Sequence, residues 1–299
     1  MRSHSHGHGH AEQGMLSVEE AYDRVMASFG PLEPVATPLM DALGLVLAVD
    51  VDSPLDLPPL ANSGMDGYAV RSEDIPDASP DSPRQLRVIG LVAAGQRPSQ
   101  DVGPGTAIRI MTGAPVPGGA DTVVPFEETD EVRRRQAGLS LDEIDILSGL
   151  AAGRNIRPAG EDVGRGQRVL DAGTMVRPAE IGVMASLGLE SVKVIRRPLV
   201  SILATGDELV TAGRELEGGQ IYDSNSFSVA ASVVACGGVP KHLGIARDNL
   251  KDLESKLLAV AGSDLAITSA GVSRGDYDMV KDVLTSRGDM NFWSVRMRP

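Results

Sequence analysis

Carboxylates, hydroxyls and glycines gather at the end of one apolar run. The stretch "ITSAGVSRGDYDMV" (267–280) carries Ser269 and Ser273, Gly271 and Gly275, and Asp276 and Asp278. Glycine lets a backbone curl round a phosphate, hydroxyls donate to its oxygens, and carboxylates are the hard ligands that Mg²⁺ takes alongside substrate phosphates. The loop therefore reads as the holder of a phosphate and its metal, with Asp276 and Asp278 both candidate ligands. A second loop, "ATGDEL" (204–209), offers Thr205, Gly206, Asp207 and Glu208. Either set also suits an ordinary strand-to-helix turn with Asp or Ser as its cap. "NSGMDGYAV" (62–70) reads as an Asp66-Gly67 turn entering a strand, and "RIMTGAPVPGGADTVV" (109–124) as strand, Pro/Gly loop and strand.

The elements that must position these loops change character along the chain. "LSVEEAYDRVMASF" has helical spacing, with Ser17 as N-cap and Glu20 as its capping-box partner, and "LMDALGLVLAVDV" continues the apolar pattern, so the start reads as helical. Over 53–147 short apolar runs alternate with Pro and Gly, which predicts a β-rich domain, a small sandwich or barrel. Residues 15–52 and 148–195 read as a helical and turn-rich linking module, with a helix over 178–187. From 196 to 299 strands alternate with helices: "PLVSILATG", "SNSFSVAASVVAC", "VPKHLGIA", "DNLKDLESKLLAVA" capped by Asp248, "SDLAITSAG" and "DYDMVKDVLTSR". That alternation predicts a three-layer α/β/α domain on a mostly parallel sheet, where ligands bind at the carboxyl ends of the strands beside helix N-termini.

A chain of 299 residues with 42% apolar and 23% charged side chains suits a globular protein of two or three domains. No apolar stretch approaches the roughly 18 residues of a membrane span. The net charge of -13, from 28 basic and 41 acidic residues, opposes nucleic-acid binding. It also means that an anionic ligand must be attracted locally, by backbone N–H groups, arginines or a metal. The single cysteine, Cys236, forms no internal disulfide, so a cytoplasmic location is expected. The first 14 residues, with His4, His6, His8 and His10, lack a secretion signal and read as a disordered leader.

Taken in order, "NSGMDGYAV", "IRIMTGAPVPGGADTVVPFE", "IRPAGEDV", "ATGDEL", "QIYDSNS" and "ITSAGVSRGDYD" closely resemble the motif series of the molybdopterin molybdenumtransferase (MoeA) family, related to the E domain of gephyrin. The resemblance covers residues 16–299. It implies insertion of molybdate into adenylylated molybdopterin with release of AMP and dependence on Mg²⁺. It also implies a homodimer that works with a molybdopterin adenylyltransferase and with molybdoenzyme apoproteins or their chaperones, with neither nucleic acid nor membrane as partner.

Carried onto this sequence, the resemblance implies that Asp66, Thr112, Glu208 and Asp162 are catalytic, with Glu161 beside Asp162. Thr205, Gly206, Asp207, Asp223, Asn225, Asp248, Ser269, Gly271, Ser273, Gly275 and Arg298 would bind substrate, and Asp278 or Asp276 the metal. Ala270, Gly64 and Ala61 depart from the usual pattern. Ser294 stands where many members carry a lysine, leaving Arg298 as the next basic candidate. Members continue past "MRP" with further elements, so the chain is expected to be a truncated form, incomplete in its α/β domain, that dimerises but transfers little molybdenum itself. The alternative is a non-catalytic pterin-binding scaffold of the gephyrin E-domain type, which would have no need of Asp66, Glu208 and Asp278 together. A stand-alone adenylyltransferase of the related MogA type is disfavoured by the "MDGYAV" region.

Overall fold

The computed structural model describes residues 15–269 and 295–297. They form two compact units, one of Val49–Thr174 with Pro178–Glu190, the other of Met175–Arg177 with the residues up to Ala48 and from Ser191 onward.

The first unit is built on a five-stranded mixed sheet, in spatial order Thr122–Pro125, Gly67–Val70, Thr106–Ile110, Arg84–Val92 and Glu143–Ile146. Arg84–Val92 and Thr106–Ile110 run parallel and the other neighbours antiparallel. This corrects the expectation of a sandwich or barrel. The long connection 93–105 carries the chain back to the starting end, which is what a parallel pair requires, and one sheet results. Its two faces bury separate clusters. Tyr68, Val70, Leu86, Val124, Ile144 and Ile146 belong to one, and Ala69, Val92, Ile108, Ile110 and Val123 to the other. Burial on both faces explains why these strands read as continuous apolar runs.

The Gly67–Val70 strand is buried at every position. A Cβ on Gly67 would fall inside the carbonyl group of Val124, so only glycine lets the two backbones approach there. Two short pairs flank the sheet, Asn62–Ser63 with Ile156–Arg157 and Val51–Asp52 with Arg168–Leu170. A helix, Pro178–Ser186, falls where the sequence indicates one.

In the second unit Leu199–Thr205 lies between Val239–Ala246 and Leu265–Thr268, all three parallel. Helix Asn225–Ala235 packs Ala230 and Val233 with Val200 and Ile202, whereas helix Leu250–Leu258 packs Leu253 with Leu203 and Ala246. Successive strand residues point to opposite faces, so each helix covers its own face. Helix Val18–Met26 carries the expected capping box: Ser17 Oγ accepts from the Glu20 N–H at 3.1 Å, and the Ser17 N–H donates to Glu20 Oε2 at 2.8 Å.

The run "LMDALGLVLAVDV" is not helical beyond one 3-10 turn, Leu39–Ala42. It lacks a 3.6-residue period, and its later part pairs with distant segments, Val46–Leu47 with Ser191–Ile195 and Val51–Asp52 with Arg168–Leu170. Those pairings divide the residues read as one linking module between the two units. The cap of helix Leu250–Leu258 is Asn249, whose Oδ1 accepts from the Asp252 N–H at 2.9 Å, and not Asp248. The helix expected from "DYDMVKDVLTSR" lies outside the described residues.

Asp264 joins the starts of two of the parallel strands. It takes both Nη groups of Arg196, at 2.7 and 2.6 Å, and the Leu199 N–H at 2.8 Å. Arg196 above all, and then that N–H, hold its carboxyl down to about 2. A carboxyl depressed on folding stabilises fully above its unfolded value, and the gain is lost as pH falls through the folded one. The thermal midpoint of Asp264→Asn should therefore lie below that of the parent at pH 5 and converge with it as pH approaches 2. A pH-independent gap would exclude the ion pair as its source.

Candidate functional site

In the first unit three motif segments are tied backbone to backbone. The Ser63 N–H donates to the Ala114 carbonyl at 2.9 Å, the Gly113 N–H to the Ser63 carbonyl at 2.8 Å, and the Gly64 N–H to the Asn155 carbonyl at 2.9 Å. Ser63 Oγ closes the turn by donating to the Met65 carbonyl at 2.5 Å. Asp66 leaves this turn half-buried, and its Oδ1 accepts both the N–H of Thr112, at 2.6 Å, and the Thr112 hydroxyl, at 2.7 Å. These two donors, with the charge of Arg109 behind them, hold the Asp66 carboxyl below its ordinary value. No described group donates to Oδ2. The turn thus presents a fixed, ionised carboxylate with one oxygen that no described group engages.

Asp162 lies on the same motif cluster but is not free. Arg157, paired across from Asn62, donates through Nε to Glu161 at 2.6 Å and through Nη2 to Asp162 at 2.6 Å. All three side chains are close to half exposed. Arg157 is a functional candidate left unassigned by the motif reading, although its spacing to the two acids, i+4 and i+5, is visible in "IRPAGEDV".

In the second unit the motif residues collect at the carboxyl ends of the parallel strands. Thr205 ends its strand opposite Ala246, and the Gly206 N–H donates to the Ala246 carbonyl at 3.1 Å. Gly206 has φ +144°, and a Cβ there would meet the Glu208 carboxylate at 2.5 Å. The positive φ is what calls for glycine, since the Glu208 carboxylate sits at the end of a flexible side chain that can shift aside. Asp207 Oδ1 accepts from the Asp248 N–H at 3.3 Å, and the Asp207 carbonyl accepts from Arg247 Nη1 at 3.0 Å, which ties the loops after two neighbouring strands. The buried Asp223, one residue before the Ser224 cap position, accepts the Ser226 N–H at 3.0 Å and so serves the first turn of the helix that Asn225 begins as a capping acceptor. Ser269 follows the third strand, and its buried Oγ has no partner among the described residues.

Gly271, Ser273, Gly275, Asp276, Asp278 and Arg298 lie outside the described residues. Among the described residues no group of three or more His, Cys, Asp and Glu side chains converges as a metal site. None of their helices is long and apolar enough to cross a membrane.

Known proteins share this chain's sequence and fold. Residues 16–188 match the family described as "MoeA N-terminal region (domain I and II)", and residues 201–299 match "Probable molybdopterin binding domain". Molybdopterin molybdenumtransferase 2 of Mycobacterium tuberculosis is 41% identical over 95% of this chain and 70% of its own length. Molybdopterin molybdenumtransferase of Nostoc is 42% identical over 87% of this chain and 58% of its own. A solved molybdopterin biosynthesis MoeA protein from Pyrococcus horikoshii superposes with a TM-score of 0.74 at 30% identity, covering 87% of this chain and 67% of that one.

If Asp223 serves chiefly as a cap, Asp223→Ala should lower stability by about 1 kcal/mol, whereas Asp223→Asn, which keeps an acceptor, should lose much less. Denaturant midpoints decide this. An unchanged midpoint in Asp223→Ala would remove the capping role.

Proposed function

The chain belongs to the molybdopterin molybdenumtransferase (MoeA) family, and from that membership we propose that it inserts molybdate into adenylylated molybdopterin and releases AMP, with Asp66 as the proton acceptor at the molybdate end. One observation supports the assignment: two donors on one oxygen hold Asp66 ionised, while no described group donates to the other. When the two thiols of a dithiolene bond to molybdenum, their two protons leave sulfur, and one oxo group departs as water carrying both. A carboxylate that can take a proton from sulfur and return it to the departing oxygen serves both halves of that exchange, whereas a group protonated at rest could only donate. Thr112 keeps the carboxylate ionised and oriented, and Glu208, with no described donor to its side chain, is the candidate for the second transfer.

The nucleotide end is assigned to the carboxyl ends of the parallel strands, around Thr205, Gly206, Asp207, Asp248 and Ser269, in what is proposed to be a three-layer α/β/α domain on a mostly parallel sheet. Asn225 opens the adjoining helix. Mg²⁺ is assigned to Asp278, with Asp276 as the alternative, where it would neutralise the phosphoanhydride as AMP departs. Asp66 and Asp207 already accept backbone N–H groups, which suits them less to metal ligation. The working assembly is proposed to be a cytoplasmic homodimer, supplied by a molybdopterin adenylyltransferase and delivering to molybdoenzyme apoproteins or their chaperones.

Asp66→Ala should leave the affinity for adenylylated molybdopterin within about twofold and lower molybdate-dependent AMP release by roughly 100-fold or more. Binding by calorimetry and AMP by chromatography measure the two separately. Equal loss of both would place Asp66 in pterin binding instead.

A further inference from the structure

Glu131 is a buried carboxylate that the proposed reaction does not use. Its side chain is 2% exposed, yet both oxygens are engaged, Oε2 by Arg109 Nε at 2.7 Å and Oε1 by Arg135 Nε at 2.8 Å. Burial pushes the Glu131 carboxyl up, and the bonds from the arginines outweigh it and hold the group below the usual carboxylate range. Stability alone is a poor reason to keep such a pair, because apolar replacement of a buried ion pair is often neutral or favourable. What the pair does is fix Arg109 in one pose. The Arg109 guanidinium carbon stands 5.6 Å from the Tyr68 ring centroid, and Nη1 reaches Met111 Sδ at 3.4 Å.

Those two neighbours bracket the Asp66–Thr112 pair. Tyr68 lies across from Arg109 and Gly67 across from Ile110, so Asp66, the residue just before that strand, emerges beside the end of the strand that carries Arg109, whose charge acts on its carboxyl. Tyr68 is two residues after Asp66, and Met111 immediately precedes Thr112. We propose that Arg109, clamped by Glu131, is a positioning residue that holds Asp66 and Thr112 in register and keeps a cation behind the Asp66 carboxylate. The inference rests on the reading of Asp66 as the proton acceptor. The other charged groups around this loop are Glu127 and Glu128, on the turn whose Phe126 N–H donates to the Asp66 carbonyl, and Arg157 with Glu161 and Asp162. None of them bridges the two strands as Arg109 does.

The test titrates the Asp66 carboxyl carbon by ¹³C NMR in the parent and in Arg109→Gln and Arg109→Lys, and measures kcat and KM for molybdate-dependent AMP release. Arg109→Gln should raise the Asp66 midpoint and lower kcat by roughly 10- to 100-fold, with KM for the adenylylated pterin within about twofold. Arg109→Lys, which restores charge without the fork, should bring the midpoint part of the way back and leave kcat reduced. An unmoved Asp66 midpoint in folded Arg109→Gln would overturn the proposal. If that variant does not fold, Arg109→Lys decides, and parental kcat in it would overturn the proposal equally. Full turnover in Asp66→Asn would defeat the role of Asp66 itself and not its placement, which the NMR titration reads alone.

Discussion

A strand buried on both faces cannot slip, and the Gly67–Val70 strand is the one on which the first unit turns. It pairs on both sides, with Thr122–Pro125 and Thr106–Ile110, and all four residues are out of water. A shift of one residue would exchange the faces of Tyr68 and Ala69, driving a phenol ring into the cluster that holds Ala69 and placing Cβ atoms where Gly67 meets Val124. Because that register has no alternative, Asp66 always emerges at the same point, opposite the end of the Thr106–Ile110 strand. Thr112 can then present two donors to one oxygen. The chemical site is thus an outcome of backbone crowding at the next residue.

The arginines of this chain sort by how firmly they are held. Arg109 is sealed by a carboxylate with 2% exposure, and breaking such a buried pair costs about 3–5 kcal/mol, so it is fixed during any reaction. Arg157 is bound to two half-exposed acids, and exposed ion pairs exchange partners easily because water and salt compete for both members. An incoming oxyanion can therefore displace Glu161 or Asp162 from Arg157 but not Glu131 from Arg109. In a chain of net charge -13 this distinction matters, since an anionic substrate has to be attracted by cations that can change partners.

Local features of the fold were legible and non-local ones were not. The capping box at Ser17 and Glu20 needs four consecutive residues, and the alternation of strands and helices between Leu199 and Thr268 needs only local periods, so both could be read directly. The run after Leu39 misled because its apolar residues serve short strands whose partners lie more than 100 residues away, at Ser191–Ile195 and Arg168–Leu170. Asp248 and Asn249 are both good caps, and sequence does not choose between neighbours of equal aptitude. Asp66 and Thr112 were readable as motif residues, but their shared hydrogen bonds span 46 positions, and the Arg109–Glu131 clamp spans 22 without any local pattern to announce it.

The acids of the motif series also divide, and the division follows hydrogen bonding rather than residue type. Asp223 spends an oxygen on an N–H in the first turn of helix Asn225–Ala235, Asp162 is answered by a guanidinium, and Asp207 receives the N–H of a neighbouring loop. Each of these has a local structural task, as a cap, an ion pair or a loop tie. Asp66 is also bonded, but both of its described donors converge on one oxygen, and no described group donates to the second. Glu208 lies over Gly206 with no described donor to its side chain. A proton-transfer group needs both a fixed position and an open lone pair. Among the described acids of the motif series, Asp66 meets both conditions in the structure as it stands, and Glu208 meets the second. Gly206, at φ +144°, supplies the left-handed backbone turn from which Glu208 follows.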